Sequence, residues 1–388
     1  MKSLIHNFKK NFKDMDKVLL MVTIFMFIFG LLNIVTASSR AVVLRYNTSL
    51  YNFFYKQLLN LLLGTFAGLF ILNVPTKNYK KWGLLAFTVV SGLLLYLSLY
   101  GSIHKGSINW INFMGFSLQP SELAKPTIIL CLAVLFEMFA KKLRGRGTNH
   151  YDMIGIILIV GCIFPLMVFL QHDLGTAIIL FGIFAVMFFA SPILRIDKLK
   201  TCILGVILII FASLIIIAKT GSLLSETQMS RFDFFDPCSK YETGGYQICN
   251  GFIAINEGGL LGVGIGDSKQ ISYIPESHTD SVFAIIAEDY GFIRATFIFV
   301  SYIIILYRIL NLASRANTLK GRYICLGVAT YIFLHIIINL GGLFGIMPLT
   351  GVPLPFLSYG GSFTLSLMIS LAMVQRVHIE TKNKIIKI

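Results

Sequence analysis

Between Ser272 and Gly291 the chain reads Ser-Tyr-Ile-Pro-Glu-Ser-His-Thr-Asp and then Ser-Val-Phe-Ala-Ile-Ile-Ala-Glu-Asp-Tyr-Gly. Glu276, His278, Asp280, Glu288 and Asp289, with Arg294 just beyond, are thereby crowded into the start of an apolar run. Carboxylates are costly at bilayer depth unless they line a cavity or find partners, so a chain this apolar is expected to use them. A carboxylate at a partly buried, charge-rich mouth can take a hydroxyl proton or hold a divalent cation, and Asp280 meets that description. The plainer alternative is an Asp in the first turn of a helix, where it stabilises the helix end. If a helix starts near Thr279, then Asp280, Ala284, Ala287, Gly291 and Arg294 share one face and form a groove with a charge at each end. Val282, Ile285, Ile286, Phe292 and Ile293 then turn toward lipid or protein, and Asp289 falls among them without a role.

Three other segments carry polar chemistry. In Gln119-Pro-Ser-Glu122-Leu-Ala-Lys125 a helix opens after Pro120, and Glu122 suits the positive end of its dipole. Lys125 lies three residues on, on the same face, so the two form an ion pair, contact a substrate, or both. Asp173, in Gln171-His-Asp-Leu-Gly-Thr176, reads as the N-cap of a helix beginning at Leu174. The run from Asn339 to Ser362 is rich in Pro and Gly at membrane depth, and such backbone is tolerated only when buried in protein or lining a cavity.

The elements that position these groups follow from composition. Hydrophobic residues make up 56% of 388 positions, charged residues 13%, and the mean hydropathy is +0.78, values that exclude an ordinary soluble domain. Apolar stretches long enough to span a bilayer lie near 18–36, 57–74, 82–100, 123–140, 153–171, 174–190, 202–218, 281–307, 322–340 and 362–376. The expectation is an all-α polytopic membrane protein with ten transmembrane helices and both termini cytoplasmic. It forms a single membrane domain over residues 1–388, with cytoplasmic tails at 1–17 and 377–388 and a long outer loop, 219–280, between helices 7 and 8. With the N terminus inside, 23 of the 33 Lys and Arg fall in cytoplasmic segments, so the net charge of +15 reflects topology. Nothing clusters them with aromatic platforms as nucleic acid would require. The first span is longer than the apolar core of a signal peptide and reads as a retained helix.

In the long loop, Arg231-Phe-Asp-Phe-Phe-Asp-Pro237 places its phenylalanines at the lipid headgroup level. The glycines of Gly262-Val-Gly-Ile-Gly266 lack the spacing and the strand-turn-helix setting of a nucleotide site. Gly64 and Gly68 suit close helix packing. Cys238 and Cys249 share the loop and are either bridged or free; spacing alone leaves both open.

Gln-Pro-Ser-Glu-x-x-Lys at 119–125, Asp-Leu-Gly-Thr at 173–176, Pro-Glu-x-His-Thr-Asp at 275–280 and Pro-Leu-Thr-Gly-Val-Pro-Leu-Pro-Phe-Leu-Ser-Tyr-Gly-Gly-Ser at 348–362 together resemble the SEDS family of bacteria, FtsW, RodA and SpoVE. The resemblance covers nearly the whole chain, with the motifs in family order. It implies a peptidoglycan glycosyltransferase of the bacterial cytoplasmic (inner) membrane that polymerises lipid II on the outer face, in cell division or cell-shape maintenance. A class B penicillin-binding protein is the implied partner, along with other divisome or elongasome membrane proteins. Asp280 is implied as the essential carboxylate, and Glu122 and Lys125 as functional in the substrate or cation site. Gln119, Arg231, His278, Ser358 and Tyr359 complete the candidate substrate-binding set.

The departing pyrophosphate calls for positive charge: Lys125, Arg231, or a divalent cation, Mg²⁺ or Mn²⁺, with Glu122 and Asp280 as candidate ligands. No organic cofactor is called for. The chain departs from the family pattern at Asn109 (usually Arg), His172 (usually Pro), Ser281 (usually aromatic) and Phe363 (usually small). The segment 46–57 after Ala37-Ser-Ser39 looks somewhat more like the FtsW branch than RodA. The rival readings are a lipid II flippase, which should carry polar groups through the full bilayer depth, and a noncatalytic scaffold. His335, Asn339 and Glu137 are the main polar groups away from the outer mouth.

Overall fold

The computed structural model describes residues 11–41, 51–101, 108–113, 116–144, 150–220, 234, 236–275 and 277–385. Each of the ten apolar stretches falls on a helix: α1 (Lys17–Ala41), α2 (Asn52–Asn73), α3 (Tyr79–Tyr100), α4 (Pro120–Arg144), α5 (His150–Leu170), α6 (Leu174–Ala190), α7 (Arg195–Thr220), α9 (Val282–Arg315), α10 (Leu319–Leu343) and α11 (Gly361–Ile385). A further helix, α8 (Tyr246–Gly258), lies in the long loop before α9. Among the described residues, eight helices are long and apolar enough to cross a membrane, and α6 is apolar but shorter. The chain is a multi-pass membrane protein.

The all-α architecture carries one small addition that the sequence did not suggest. Residues Ile111–Phe113 (β1) and Phe116–Leu118 (β2) pair antiparallel in the register Ile111 with Leu118 and Phe113 with Phe116. The pair sits between α3 and α4, where a short connection satisfies its backbone groups within itself.

Burial separates an inner set of helices from an outer one. In α10, 78% of the most apolar window is buried against the rest of the chain, whereas α2 buries only 17% and turns its remaining apolar surface outward. The centre is therefore α4, α10 and α11, with α1, α2 and α3 around it. Close contacts are made where a side chain is missing. A Cβ on Gly30 would stand 2.2 Å from the Phe356 carbonyl oxygen, and one on Gly64 would stand 2.5 Å from Met368 Sδ on α11. Gly64 and Gly68 thus serve helix packing, as their spacing suggested.

Helix α9 breaks at Gly291, whose φ of 74° only glycine adopts without strain. A break at this depth strands backbone groups, and the glycine run supplies their partners. Val263 N donates to Glu288 O at 3.0 Å, Gly264 N to Asp289 O at 3.2 Å, and Phe292 N to Gly259 O at 2.9 Å. A Cβ at Gly262 would lie 2.3 Å from Asp289 O, so the loop fits into the break only without side chains there. Glu288 and Asp289, both fully buried, hold the following turn. Glu288 accepts from Ser268 Oγ at 2.5 Å and Lys269 N at 2.7 Å, and Asp289 from Ser268 N at 3.2 Å. Asp289, without a role in the sequence, is thereby explained. The expected groove along α9 does not form: Val282, Ile285 and Ile286 are buried beside Ala284 and Ala287. Arg294 lies exposed beyond the break, donating to Leu261 O at 3.2 Å. Phe234 is also buried, rather than resting among headgroups.

Candidate active site

The segment that ends in Asp280 is irregular backbone, and its carbonyls are fixed one by one. The His278 carbonyl accepts from Tyr359 N at 2.9 Å, that of Thr279 from the Ser358 hydroxyl, and that of Asp280 from Asn339 Nδ2 at 2.7 Å. Three consecutive peptide groups are thus anchored to the loop of residues 344–360 and to α10. Helix α9 begins only at Val282, with Ser281 as its N-cap, so Asp280 is not in the first helical turn. Its carboxylate accepts from Gln247 Nε2 on α8 at 3.3 Å, and the same amide donates to Ser281 Oγ at 2.7 Å. Helix α8 is tied at its base by the disulfide Cys238–Cys249, which decides the question the cysteine spacing left open.

Asp280 opens onto a cavity of about 630 Å³. Residues 349–353, Gln119 and Glu122 from the start of α4, Asp173 and the start of α6, Asn109, Trp110 and Gln247 complete its walls. The loop keeps the irregular backbone it needs because it is both buried and cavity-lining: Leu354 and Leu357 are fully buried, and Gly351 sits at φ 72°. A Cβ on Gly351 would come 3.8 Å from Asp280 Oδ2.

The second carboxylate is Glu122. Its Oε1 accepts from Lys125 Nζ at 2.7 Å, while Oε2, buried at the cavity wall, has no hydrogen-bond partner among the described residues. The ion pair forms, but Lys125 has no exposed surface and does not line the cavity, so its ammonium stands behind Glu122 rather than at the wall. Asp173 does cap α6, with Oδ1 accepting from Thr176 N at 3.1 Å. Its Oδ2 also accepts from Asn109 Nδ2 and Gln119 Nε2, each at 3.2 Å, so the cap is a cavity wall as well. His172 has φ 61°, a value that a proline ring cannot adopt.

The structure therefore brings together Asp280, Glu122 and Gln119 of the residues singled out from sequence. His278, Ser358 and Tyr359 lie behind the wall. The His278 ring stands 4.6 Å from Phe53 and 5.8 Å from Tyr359, and Ser358 supports the main chain as described. Burial pushes the Tyr359 phenol above its ordinary pKa, keeping it neutral at physiological pH. Arg231 and Glu276 lie outside the described residues. Gln247, Thr350 and the wall role of Asp173 were missed; Gln247 and Thr350 sit in segments with no charge or periodicity to mark them. Among the described cavity residues there is no Lys or Arg, and among the described residues no group of three or more His, Cys, Asp or Glu stands ready for a metal. Glu122 Oε2 and Asp280 are hard oxygen donors that fit part of a Mg²⁺ or Mn²⁺ shell, the rest falling to water and substrate phosphate.

The chain belongs to the FtsW, RodA and SpoVE family of cell cycle proteins, whose pattern it matches over residues 16–383. It is 31% identical over 385 residues to a probable peptidoglycan glycosyltransferase FtsW of Bacillus subtilis, covering 96% of this chain and 93% of that one. It is 29% identical over 381 residues to the peptidoglycan glycosyltransferase MrdB of Escherichia coli, covering 96% and 97%. The fold is shared with Thermus thermophilus RodA at a TM-score of 0.65 and 22% identity, over 94% of this chain and 96% of that one. A chain of a peptidoglycan synthase complex that coordinates polymerization and crosslinking matches at 0.72 and 24% identity, over 95% and 98%.

Proposed function

We propose that this chain is a peptidoglycan glycosyltransferase that polymerises lipid II on the outer face of the bacterial cytoplasmic membrane, spanning it ten times with both termini inside. The observation that carries the reading is Asp280, held by three successive carbonyl bonds at the edge of a polar cavity that also takes in Asp173 and Glu122, the latter with an oxygen that has no hydrogen-bond partner among the described residues. The relatives named as peptidoglycan glycosyltransferases support the substrate class.

In the proposed reaction the Asp280 carboxylate takes the proton of the acceptor sugar's 4-hydroxyl. The alkoxide oxygen forms a bond to the anomeric carbon of the donor sugar, the bond from that carbon to the diphosphate oxygen breaks, and the anomeric centre inverts. The diphosphate departs with the electron pair on its polyprenyl carrier. The described cavity wall holds no Lys or Arg; Glu122 and Asp280 would hold a divalent cation, which would supply Lewis-acid stabilisation of the departing diphosphate. A class B penicillin-binding protein that crosslinks the strands is the proposed partner, in keeping with the synthase complex that shares the fold.

The deeper polar groups favour this reading over a transporter. His335 and Asn339 are bound to loop carbonyls, and Glu137 pairs with Lys320 at 2.8 Å, so they do not continue the cavity through the bilayer. The test is glycan formation from labelled lipid II by the purified chain with its partner. Asp280→Asn is expected to lower the rate by about 10²- to 10⁴-fold, the usual contribution of a general base. Lipid II flipping that depends on Asp280 and yields no polymer would replace this reading with the transporter.

A further inference from the structure

His335 and Asn339 stand one turn apart on one face of α10, at 0% and 2% exposure, and neither lines the cavity. Each joins two of its walls. His335 Nδ1 lies 3.0 Å from the Pro353 carbonyl oxygen, and because a carbonyl only accepts, Nδ1 carries the proton. Nε2 then presents its lone pair to Lys125 Nζ at 3.0 Å. Lys125 is held between this nitrogen and Glu122 Oε1, with the rings of Tyr331 and Phe363 at 5.6 and 5.8 Å from its ammonium. Asn339 Nδ2 donates to Asp280 O at 2.7 Å and to Val352 O at 2.8 Å. Val352 and Pro353 are successive residues of the cavity-lining loop.

We propose that His335 and Asn339 are positioning residues that hold the Glu122 wall, the Asp280 wall and the 349–353 loop of the cavity in a single register. The inference rests on the glycosyltransferase reading and assigns its alignment to a pair of side chains that touch no substrate. His335 acts through Lys125 on Glu122; Asn339 acts through the main chain on Asp280. Displacing reacting groups by about 1 Å can lower a rate about 10²-fold, so a loss of register should appear in turnover before it appears in substrate affinity.

The test measures kcat and KM for labelled lipid II with the full chain and its partner, together with thermal unfolding of each variant. A glutamine at 335 offers both a donor and an acceptor, and a leucine offers neither. His335→Leu is expected to lower kcat at least about tenfold with KM within about threefold, while His335→Gln stays within about threefold of the parent. Asn339→Asp, which keeps the shape and turns an oxygen toward two carbonyls, is expected to lower kcat at least as far. Parent-like kcat per folded molecule in His335→Leu and Asn339→Asp, or equal losses in His335→Leu and His335→Gln, would overturn the proposal. If His335→Leu gives no folded protein, Asn339→Ala decides: a kcat drop at unchanged KM supports the assignment, and a parent-like kcat ends it. Asp280→Asn is run in parallel. Parent-like polymerisation by that variant would end the glycosyltransferase reading itself, whereas an inert Asp280→Asn beside fully active 335 and 339 variants removes only the positioning role.

Discussion

The chain has a polar cavity at each end, and the two handle their charges differently. At the end that carries most of the Lys and Arg, a cavity of about 500 Å³ is lined by Thr76, Lys77, Glu137, Lys320, Arg376 and Glu380. Its carboxylates are matched. Glu137 pairs with Lys320 at 2.8 Å, and Glu380 pairs with Arg376 at 2.9 Å while accepting from Thr76 N at 2.9 Å. Nearby, Asp16 holds Arg308 at 2.6 Å, tying α1 to α9. In the cavity at the opposite end no described wall residue is Lys or Arg, and Glu122 keeps an oxygen without a hydrogen-bond partner among the described residues. Paired charges at helix ends fasten the bundle; a carboxylate with a free oxygen beside an anchored Asp280 is arranged for a ligand.

This contrast can be sharpened by substitution, beginning with the largest effect on stability. Lys125→Met leaves Glu122 buried without its partner, and is expected to destabilise the protein by about 3–5 kcal/mol, the usual result of breaking a buried pair from one side. Melting of the Lys125→Met, Glu122→Gln double variant should recover much of the loss; no recovery would show that the ion pair is not what makes the lysine tolerable. Removing the disulfide with Cys238→Ser and Cys249→Ser is expected to cost about 2–3 kcal/mol for so short a loop. It should also lower polymerisation several-fold, because α8 carries Gln247 to Asp280; unchanged rates under reducing conditions would detach α8 from the site. Gly291→Ala places a Cβ 2.2 Å from Gly262 N at a positive φ, so about 1–3 kcal/mol is expected, read as a lower melting temperature. Arg308→Gln, which weakens the hydrogen bonds to the buried Asp16, should cost about 1–3 kcal/mol and leave polymerisation alone.

The long apolar runs made the helices legible, because hydrocarbon thickness sets their length and leaves little choice of structure. Asp280, Glu122 and Gln119 were legible for a related reason: polar side chains at depth stand out against that background. The rest depends on contacts between distant segments, which no local pattern records. The support given by Ser358 and Tyr359 to residues 278 and 279 became visible only once the 344–360 loop was folded over them. Likewise the glycines of 262–266 lacked the setting of a nucleotide site and had no other visible use until the break at Gly291 showed what Gly262 and Gly264 fit. The strand pair at 111–118 is too short for its alternation to be told from loop.

The most direct measurement is glycan polymer formed from labelled lipid II per folded molecule, for Asp280→Asn and Arg308→Gln side by side in the same partner complex. The expected result is loss of polymer in the first variant and parent-like chains in the second. Parent-like chains from Asp280→Asn would contradict the assignment of this carboxylate as the base and, with it, the placement of the active site at this end of the molecule.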